Sequence, residues 1–359
     1  MNMSYEDTIY FIGKCLTLAN EDTNRKEIKN ALKQKNTDWD SVVRVATGHF
    51  VFPALYINFR QVDFLDLVPL ELKNYMIHIY ELNLERNKDI ILQVKEINKL
   101  FINNNIKGIF LKGAGNLIDD LYNDIGERMI GDIDLLVSLE DYKKTVELLK
   151  KDGYYRVENR EHFNFLNKHY PKIIKNGSIC AVEVHTKMTS KPYHQYFNHD
   201  FVKKSTKKTN FSALVLSNKN QTIYTCINKQ INDRSQWYKN INLRNSYDLY
   251  LLSKKTYVLG TLKEFSYIFL YLNNFLASSH KVFNQPNSLE YLQNKNSKNY
   301  LYQENKYLIN SKLNKLNKKT WDFVYFTKIT YLILIKSLKD SDVRKTLLHR
   351  VKHKILHLE

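Results

Sequence analysis

Asp132 and Asp134 stand one residue apart in the short segment GDIDLLV (131–137). Alternate residues of a β-strand point to the same face, so both carboxylates are predicted to project together while Ile133 and Leu135 face a core. Neighbouring carboxylates repel each other unless a cation lies between them, and Mg²⁺ is the usual cation where phosphates complete its coordination. Because Asp-x-Asp pairs also occur on solvated strand edges, this pair predicts a metal site only together with further ligands.

A second acidic strand is predicted at AVEVH (181–185), where Glu183 and His185 share one face. A charged residue in the middle of an apolar strand needs either a partner or a chemical role. Glu183 is a candidate third carboxylate for a two-metal site that holds the attacking and leaving oxygens around a phosphorus. The alternative is a solvent-facing glutamate or one paired with a lysine. His185 is a candidate for orienting a ligand or acceptor, and a purely structural histidine is its alternative.

The turn at Lys112-Gly113 follows the apolar run 106–111 and precedes a helical pattern that begins at Asn116. Glycine lets a phosphate approach the backbone, N–H groups at a helix start attract anions, and a lysine adds positive charge. The turn lacks the spacing of the phosphate loop of large NTPases. Arg128 is a further candidate, either for binding phosphate or for bridging the carboxylates. An ordinary turn and a surface arginine are the alternatives.

Three of these segments occur in a familiar arrangement. LKGA (111–114), RMIGDIDLLV (128–137) and VEVH (182–185), with Tyr122 between the first two, together resemble bacterial nucleotidyltransferases of the DNA polymerase β superfamily. The similarity is to a branch often encoded beside exopolysaccharide or peptide-modification genes. DW (38–39) and RNSYDL (244–249) also resemble that branch, so the resemblance runs loosely from residue 38 to 255 and is specific between 107 and 187.

This resemblance implies a mixed sheet with helices on one side, and it implies roles for the acidic residues. Asp132 and Asp134 would bind both metals, and Glu183 would bind the catalytic metal and help to deprotonate the acceptor hydroxyl. The sequence departs from the superfamily at one point. Members usually carry Gly-Ser after the first strand, whereas this chain has Lys112-Gly113-Ala114. The resemblance then implies that Lys112 replaces the serine contact to the terminal phosphates.

The elements that position these residues divide the chain into three predicted regions. Residues 1–100 are predicted to be a helical cap, 101–200 a nucleotidyltransferase α/β core, and 201–359 a basic helical region. Residues 281–312 are rich in Asn, Ser and Lys, which favours a loop or poorly ordered insertion. The predicted fold class is α+β, with a polymerase β-like mixed sheet flanked by N-terminal and C-terminal helices.

Composition adds a charge asymmetry and a predicted location. The net charge of +18 comes from the C-terminal part, because residues 201–359 contain 28 Lys and Arg but 9 Asp and Glu. This favours an anionic partner there, and lysine-rich codon usage is the alternative. No apolar run reaches the roughly 18 residues of a membrane span. The three cysteines are far apart and fit neither a disulfide framework nor a zinc pattern, so a cytoplasmic location is expected.

The main functional hypothesis is metal-dependent transfer of a nucleoside monophosphate from an NTP to a hydroxyl or phosphate, with release of pyrophosphate. Mg²⁺ is the expected ion and Mn²⁺ the second candidate. The acceptor is predicted to be a small molecule, a sugar or a protein. A nucleic-acid-directed enzyme is the first alternative, because Trp237, Tyr238, Trp321, Tyr325 and Tyr331 lie among lysines. A non-catalytic binding protein with the same fold is the second. The base, the acceptor and the oligomeric state stay open.

Overall fold

The computed structural model describes residues 3–157, 169–189, 193–341 and 343–344. Within these ranges a seven-stranded mixed sheet is flanked by helices that come from both ends of the chain. The predicted α+β class and the predicted mixed sheet are therefore confirmed.

The described part of the chain before the sheet is helical, as its sequence pattern predicts. Its α-helices are α1 (Tyr5–Cys15), α2 (Asp22–Lys33), α3 (Trp39–Gly48), α4 (Phe52–Gln61) and α5 (Leu70–Asn103). The long helix α5 buries Ile90, Val94, Ile97 and Phe101 in the core that also contains the sheet. These positions recur every three or four residues, so one face of α5 supports the sheet.

The sheet is built from short strands in a mixed order. The strands are β1 (Ile109–Leu111), β2 (Asp132–Leu136), β3 (Tyr155–Arg156), β4 (Ile173–Ile174), β5 (Ala181–His185), β6 (Thr206–Lys208) and β7 (Leu214–Leu216). Their order in the sheet is β3-β4-β5-β2-β1-β7-β6. The central strand β2 pairs with β5 in parallel and with β1 in the antiparallel sense. This pairing places the ends of three strands beside one another.

Two helices belong to this α/β unit, and the first begins earlier than the sequence suggests. They are α6 (Lys112–Ile118) and α7 (Tyr142–Lys151). The segment from Lys112 to Gly115 is therefore the first turn of α6, not a loop before a helix at Asn116. Gly115 permits this, because a Cβ there would lie 2.5 Å from the carbonyl oxygen of Phe110. The helix thus packs directly on the end of β1.

Helices also dominate the chain after β5. They are α8 (His199–Val202), α9 (Asn218–Ile227), α10 (Ser235–Tyr238), α11 (Leu243–Ser253), α12 (Val258–Lys263), α13 (Phe269–Val282), α14 (Lys295–Ile309) and α15 (Ser311–Lys339). A turn of π-helix, Asn228–Asn232, directly follows α9.

The prediction of a loop or poorly ordered insertion at 281–312 is wrong, because α14 occupies half of that range. Asn294 and Ser297 form a reciprocal capping box, which satisfies backbone N–H groups at the start of the helix. Tyr300 and Glu304, four residues apart, are buried against the rest of the protein. The Asn, Ser and Lys residues that suggested a loop include this cap and the exposed face of an amphipathic helix.

The apolar residues form two cores. One core contains the inner face of α5, the apolar face of the sheet and residues of α6 and α7. The other contains α1 to α4 together with α9, α11, α12 and α13. A polar contact within the second core joins α4 to α11, since Asn58 donates a hydrogen bond of 3.1 Å to the hydroxyl of Tyr247. Helices from both flanks therefore pack together beside the sheet.

Among the described residues, no single helix has both the length and the apolar composition to cross a membrane. The pair α3 and α4 meets those two criteria only when taken together, and it is bent by 120°.

The buried carboxyl of Glu304 makes the stability of the protein depend on pH. Burial raises the pKa of Glu304 to about 7, and a hydrogen bond from Ser278 and nearby lysines counteract this only in part. In an unfolded chain the pKa of a glutamate is about 4.3, so the folded protein holds an extra proton between these values. The free energy of unfolding therefore falls as pH rises through this window.

We expect Glu304→Gln to remove this component. Between pH 5 and pH 8 the unfolding free energy of the wild type should fall by roughly 1–3 kcal/mol more than that of the variant, as urea denaturation at several pH values would measure. Glu290→Gln, at an exposed position between α13 and α14, is the control and should follow the wild type. Parallel pH profiles for wild type and Glu304→Gln would contradict the assignment.

Candidate active site

The pairing of β2 with β5 brings the acidic residues together. The two strands run parallel and in register, so Asp134 lies opposite Glu183 and Leu136 lies opposite His185. Because strand side chains alternate, Asp132, Asp134, Glu183 and His185 share one face of the sheet. The intervening residues Ile133, Leu135, Val182 and Val184 are fully buried on the other face. Burial of the apolar side chains on one face of each strand thus fixes the position of the polar side chains on the other face.

Asp134 lies at the centre of this polar face, with 1% of its surface exposed. Its Oδ1 accepts a hydrogen bond of 2.6 Å from Nζ of Lys112 and lies 2.8 Å from Nε2 of His185. The same imidazole nitrogen lies 3.2 Å from Oε2 of Glu183. Ligand atoms of Asp134, Glu183 and His185 all lie within 4.8 Å of one another, which is a group that can hold a metal ion.

Asp132 has a different set of neighbours. It is more exposed than Asp134, and its Oδ2 lies 2.8 Å from Nζ of Lys172. The same ammonium lies 3.2 Å from Oε1 of Glu183, so Lys172 joins Asp132 to Glu183. The structure therefore brings together Asp134, Glu183 and His185 directly, and it connects Asp132 to them through a lysine. The repulsion expected between the carboxylates is screened by this cation and by Lys112.

The electrostatics keep both buried carboxylates ionised. Burial by itself would raise the pKa of Asp134, but Lys112 and His185 outweigh it and hold that pKa below its usual value. The pKa of Glu183 is lowered in the same way by His185, His169 and Lys112 against the effect of burial. Burial would lower the pKa of His185, but hydrogen bonds to Asp134 and Glu183 raise it. The site is thus a compact set of alternating charges.

Lys112 adopts a strained backbone conformation to reach Asp134. Its φ of +52° lies in the left-handed region, which costs a lysine of order 1 kcal/mol. The ammonium is bonded to the carboxylate, and burial, which would lower its pKa, is outweighed by Asp134. Gly113 follows at the wall of the cleft, where a Cβ would lie 2.9 Å from the side chain of Ile130. Both residues therefore line the cleft.

Arg128 also lines the cleft, but its guanidinium does not bridge the carboxylates of β2. Its Nε and Nη2 bind the two oxygens of Asp248 at 2.9 and 2.8 Å, and Nη1 donates to the carbonyl oxygen of Met129. The hydroxyl of Tyr122 donates to the same aspartate at 2.7 Å. This buried pair holds α11 against the loop before β2. Bridging of the β2 carboxylates, one of the two roles predicted for Arg128, is therefore wrong.

The cleft lies between the α/β unit and the C-terminal helices. Lys112, Gly113, Asp132 and Asp134 line one wall. The opposite wall is made by residues of α9, of the π-helical turn and of α11, which include Tyr224, Thr225, Asn228, Arg244 and Asn245. A ligand that enters the cleft would therefore contact the acidic strand on one side and helices that are remote in sequence on the other.

Residues 35–260 match the model of a protein family described as "Uncharacterised nucleotidyltransferase". The match covers more than half of the chain and contains all the residues of the site described above. The protein belongs to this nucleotidyltransferase family. The family assignment confirms the resemblance to nucleotidyltransferases and makes the protein an enzyme of the transferase class. A comparison with curated proteins gives no match.

Sequence reasoning missed two residues of this nucleotidyltransferase site, His169 and Lys172. His169 forms a β-bridge with His185, and their ring centroids are 4.8 Å apart. Its Nε2 lies 3.7 Å from Oε2 of Glu183. Lys172 immediately precedes β4, which pairs with β5. No local spacing links these residues to the acidic strands, because the sheet pairing alone brings them there.

The geometry predicts that Asp134 is essential for metal binding in this nucleotidyltransferase. Asp134→Asn should raise the dissociation constant for Mn²⁺ by about 100-fold or more, because even the loss of an outer-shell partner typically costs about 10- to 100-fold. Electron paramagnetic resonance of free Mn²⁺ would measure this. Asp152→Asn removes a carboxylate paired with Lys175 away from the cleft, and it should leave the affinity unchanged. Equal affinity in wild type and Asp134→Asn would show that the ion binds elsewhere.

Lys172 should compete with a metal ion for Asp132 and Glu183. We expect Lys172→Gln to lower the Tm of the metal-free protein, because two carboxylates lose their counter-charge. Saturating Mg²⁺ should then raise the Tm of the variant by about 2 °C or more beyond its effect on the wild type. Thermal unfolding with and without Mg²⁺ tests this, and Lys175→Gln is the matched control. The idea is wrong if Mg²⁺ shifts the Tm of both proteins equally.

Proposed function

We propose that this nucleotidyltransferase transfers a nucleoside monophosphate from an NTP to a hydroxyl or phosphate group and releases pyrophosphate. The observation that carries the proposal is the in-register pairing of β2 with β5, which sets Glu183 beside Asp134, a residue of the cleft wall. Because both carboxylates are ionised and buried, they suit a divalent ion that binds phosphate oxygens.

Asp134, Glu183 and His185 would hold the ion, with Asp132 as a further ligand on the exposed side. The donor set fits, since its atoms lie within 4.8 Å of one another and carry net negative charge. Carboxylate oxygens suit both Mg²⁺ and Mn²⁺, and the imidazole nitrogen shifts the preference toward Mn²⁺. Such an ion neutralises charge on the phosphates and aligns the attacking and leaving oxygens. We therefore propose Mg²⁺ or Mn²⁺ as the cofactor.

The protein's own residues supply positioning. Nε2 of His185 lies 2.8 Å from Asp134 and 3.2 Å from Glu183, so the three groups are already gathered where the ion would bind. The pair of Arg128 with Asp248 fixes the opposite wall by a two-point contact, which is geometrically stricter than a single hydrogen bond. Carboxylates held this firmly need little rearrangement during the reaction, and such preorganisation is a main source of rate acceleration in enzymes.

A small molecule, a sugar or a protein is the proposed acceptor, in preference to a nucleic acid. Four of the five aromatic residues that suggested base stacking are engaged with other parts of the protein. Trp237 packs edge to face on Trp321 with ring centroids 4.1 Å apart, and Arg234 lies 3.7 Å from the ring centroid of Tyr325. Tyr238 donates a hydrogen bond to Asp322. These contacts join α10 to α15, so the rings serve the packing of the long helix.

The double variant Asp132→Asn, Asp134→Asn tests the proposal. Consumption of each NTP in the presence of Mg²⁺ or Mn²⁺, with cell lysate as the source of acceptor, should fall to background while the far-ultraviolet circular dichroism stays unchanged. Asp152→Asn is again the control and should keep wild-type turnover. Unchanged NTP consumption in the double variant would refute the assignment.

The same assay with labelled NTPs identifies the acceptor. Label is expected on a small molecule, a sugar or a protein and not on RNA or DNA. A binding constant for RNA that falls steeply with salt, together with label on RNA, would instead support the nucleic-acid-directed alternative.

A further inference from the structure

Arg244 is a cation in the wall of the cleft whose guanidinium has no carboxylate partner among the residues that the structure describes. It is the second residue of α11 and lines the cleft. Its Nε is buried and makes no hydrogen bond within the described part of the chain. The guanidinium carbon lies 4.9 Å from the ring centroid of Phe50, which supports it from one side. A buried N–H donor without an acceptor is unusual in a folded protein, and an oxygen of a bound ligand is one of the groups that can satisfy it.

The other two cations that the structure places in the cleft wall are already neutralised. Lys112 binds Asp134 at 2.6 Å, and Arg128 binds both oxygens of Asp248. Among the described residues of this wall, Arg244 is thus the cation left to meet an incoming anion. It was noticed in the sequence only as part of RNSYDL (244–249), without a role.

Charged groups of both signs lie near Arg244. Burial and the nearby Arg128 lower the pKa of Arg244, while Asp248, Asp233 and Asp132 oppose this, and a guanidinium stays charged at neutral pH. His49 accepts the backbone N–H of Leu243 at 3.3 Å. Burial, together with Lys229 and Arg244, lowers the pKa of His49 to about 4, so it stays neutral. Among the described residues of the cleft wall, Arg244 therefore presents a positive charge that is not bound to a carboxylate, whereas the acidic strand presents Asp132 and Asp134.

We propose that Arg244 binds the two terminal phosphates of the NTP, and the pyrophosphate after transfer. The proposal rests on the proposed function and assigns an end of the cleft to each part of that substrate. Most of the negative charge of an NTP lies on its terminal phosphates, so they orient toward the unpaired guanidinium. The planar guanidinium offers parallel N–H donors that match phosphate oxygens. The α-phosphate is then left at the acidic strand.

Inorganic pyrophosphate is a suitable probe, because its binding needs no acceptor and no turnover. Calorimetric titration would compare pyrophosphate, NTP and the corresponding nucleoside monophosphate on wild type and Arg244→Ala. The variant should bind pyrophosphate and NTP about 10- to 100-fold more weakly, as expected for the loss of charge-assisted hydrogen bonds, and the monophosphate with less than a twofold change.

Two further variants control for folding and for charge. Arg244→Lys keeps the positive charge but loses the parallel N–H donors of the guanidinium. Its affinity for pyrophosphate should therefore lie between those of wild type and Arg244→Ala. Arg44→Ala removes an exposed arginine of α3 that contacts Ser41, and it should bind like the wild type. An unchanged Tm would show that Arg244→Lys is folded even if Arg244→Ala is not.

The inference is refuted if Arg244→Ala, with an unchanged Tm, binds pyrophosphate as tightly as the wild type. An equal loss of affinity for NTP and monophosphate would refute it as well, since the contact would then be to another part of the nucleotide. If either of these results is found and the wild type still transfers nucleotides, the proposed function holds and only the role of Arg244 is refuted. If it binds pyrophosphate through Arg244 but transfers nothing, the inference stands and the proposed function fails.

Discussion

The parallel pairing of β2 with β5 is the contact on which the rest of the site depends. It sets Asp134 directly opposite Glu183, two like charges on adjacent strands. Such a pair is destabilising unless counter-charges are supplied, and three residues of the protein supply them. Lys112 comes from the start of α6, Lys172 from the residue before β4, and His185 from β5 itself. The surrounding fold thus compensates the negative charge of the two carboxylates.

The apolar half of the same strands stabilises this arrangement. Ile133, Leu135, Val182 and Val184 are fully buried, and they pack in one core with the inner face of α5. A shift of one residue in the register of either strand would exchange its buried and polar faces. The register that places Asp134 beside Glu183 is therefore the one that also buries the valines and isoleucine. Charge and packing select the same alignment.

A second buried ion pair, Arg128 with Asp248, fixes the other wall of the cleft. It links the loop before β2 to α11 across a sequence separation of 120 residues. Because both groups are buried, the loss of either partner would leave an uncompensated charge. Because Arg128 is bound to Asp248, it is not available to an anionic ligand. Arg244, one helical turn before Asp248, is the cation proposed to bind that ligand. The same ion pair therefore connects the loop before the acidic strand β2 to the helix that carries Arg244.

The sequence by itself determined the α+β class, the acidic strands and the candidates Asp132, Asp134 and Glu183. Strand alternation and apolar runs depend on residues close together in the chain, so they can be recognised in the sequence alone. The helix α14 also has a local sequence signal, the capping box of Asn294 and Ser297. Its polar composition nevertheless favoured a loop.

Only the tertiary structure decided which charges meet. Lys172 approaches Glu183 through the pairing of β4 with β5, Asp248 captures Arg128 from a distant helix, and Arg244 reaches the cleft on that same helix. Electrostatic partners are chosen by distance in space, and no periodicity along the chain encodes that distance.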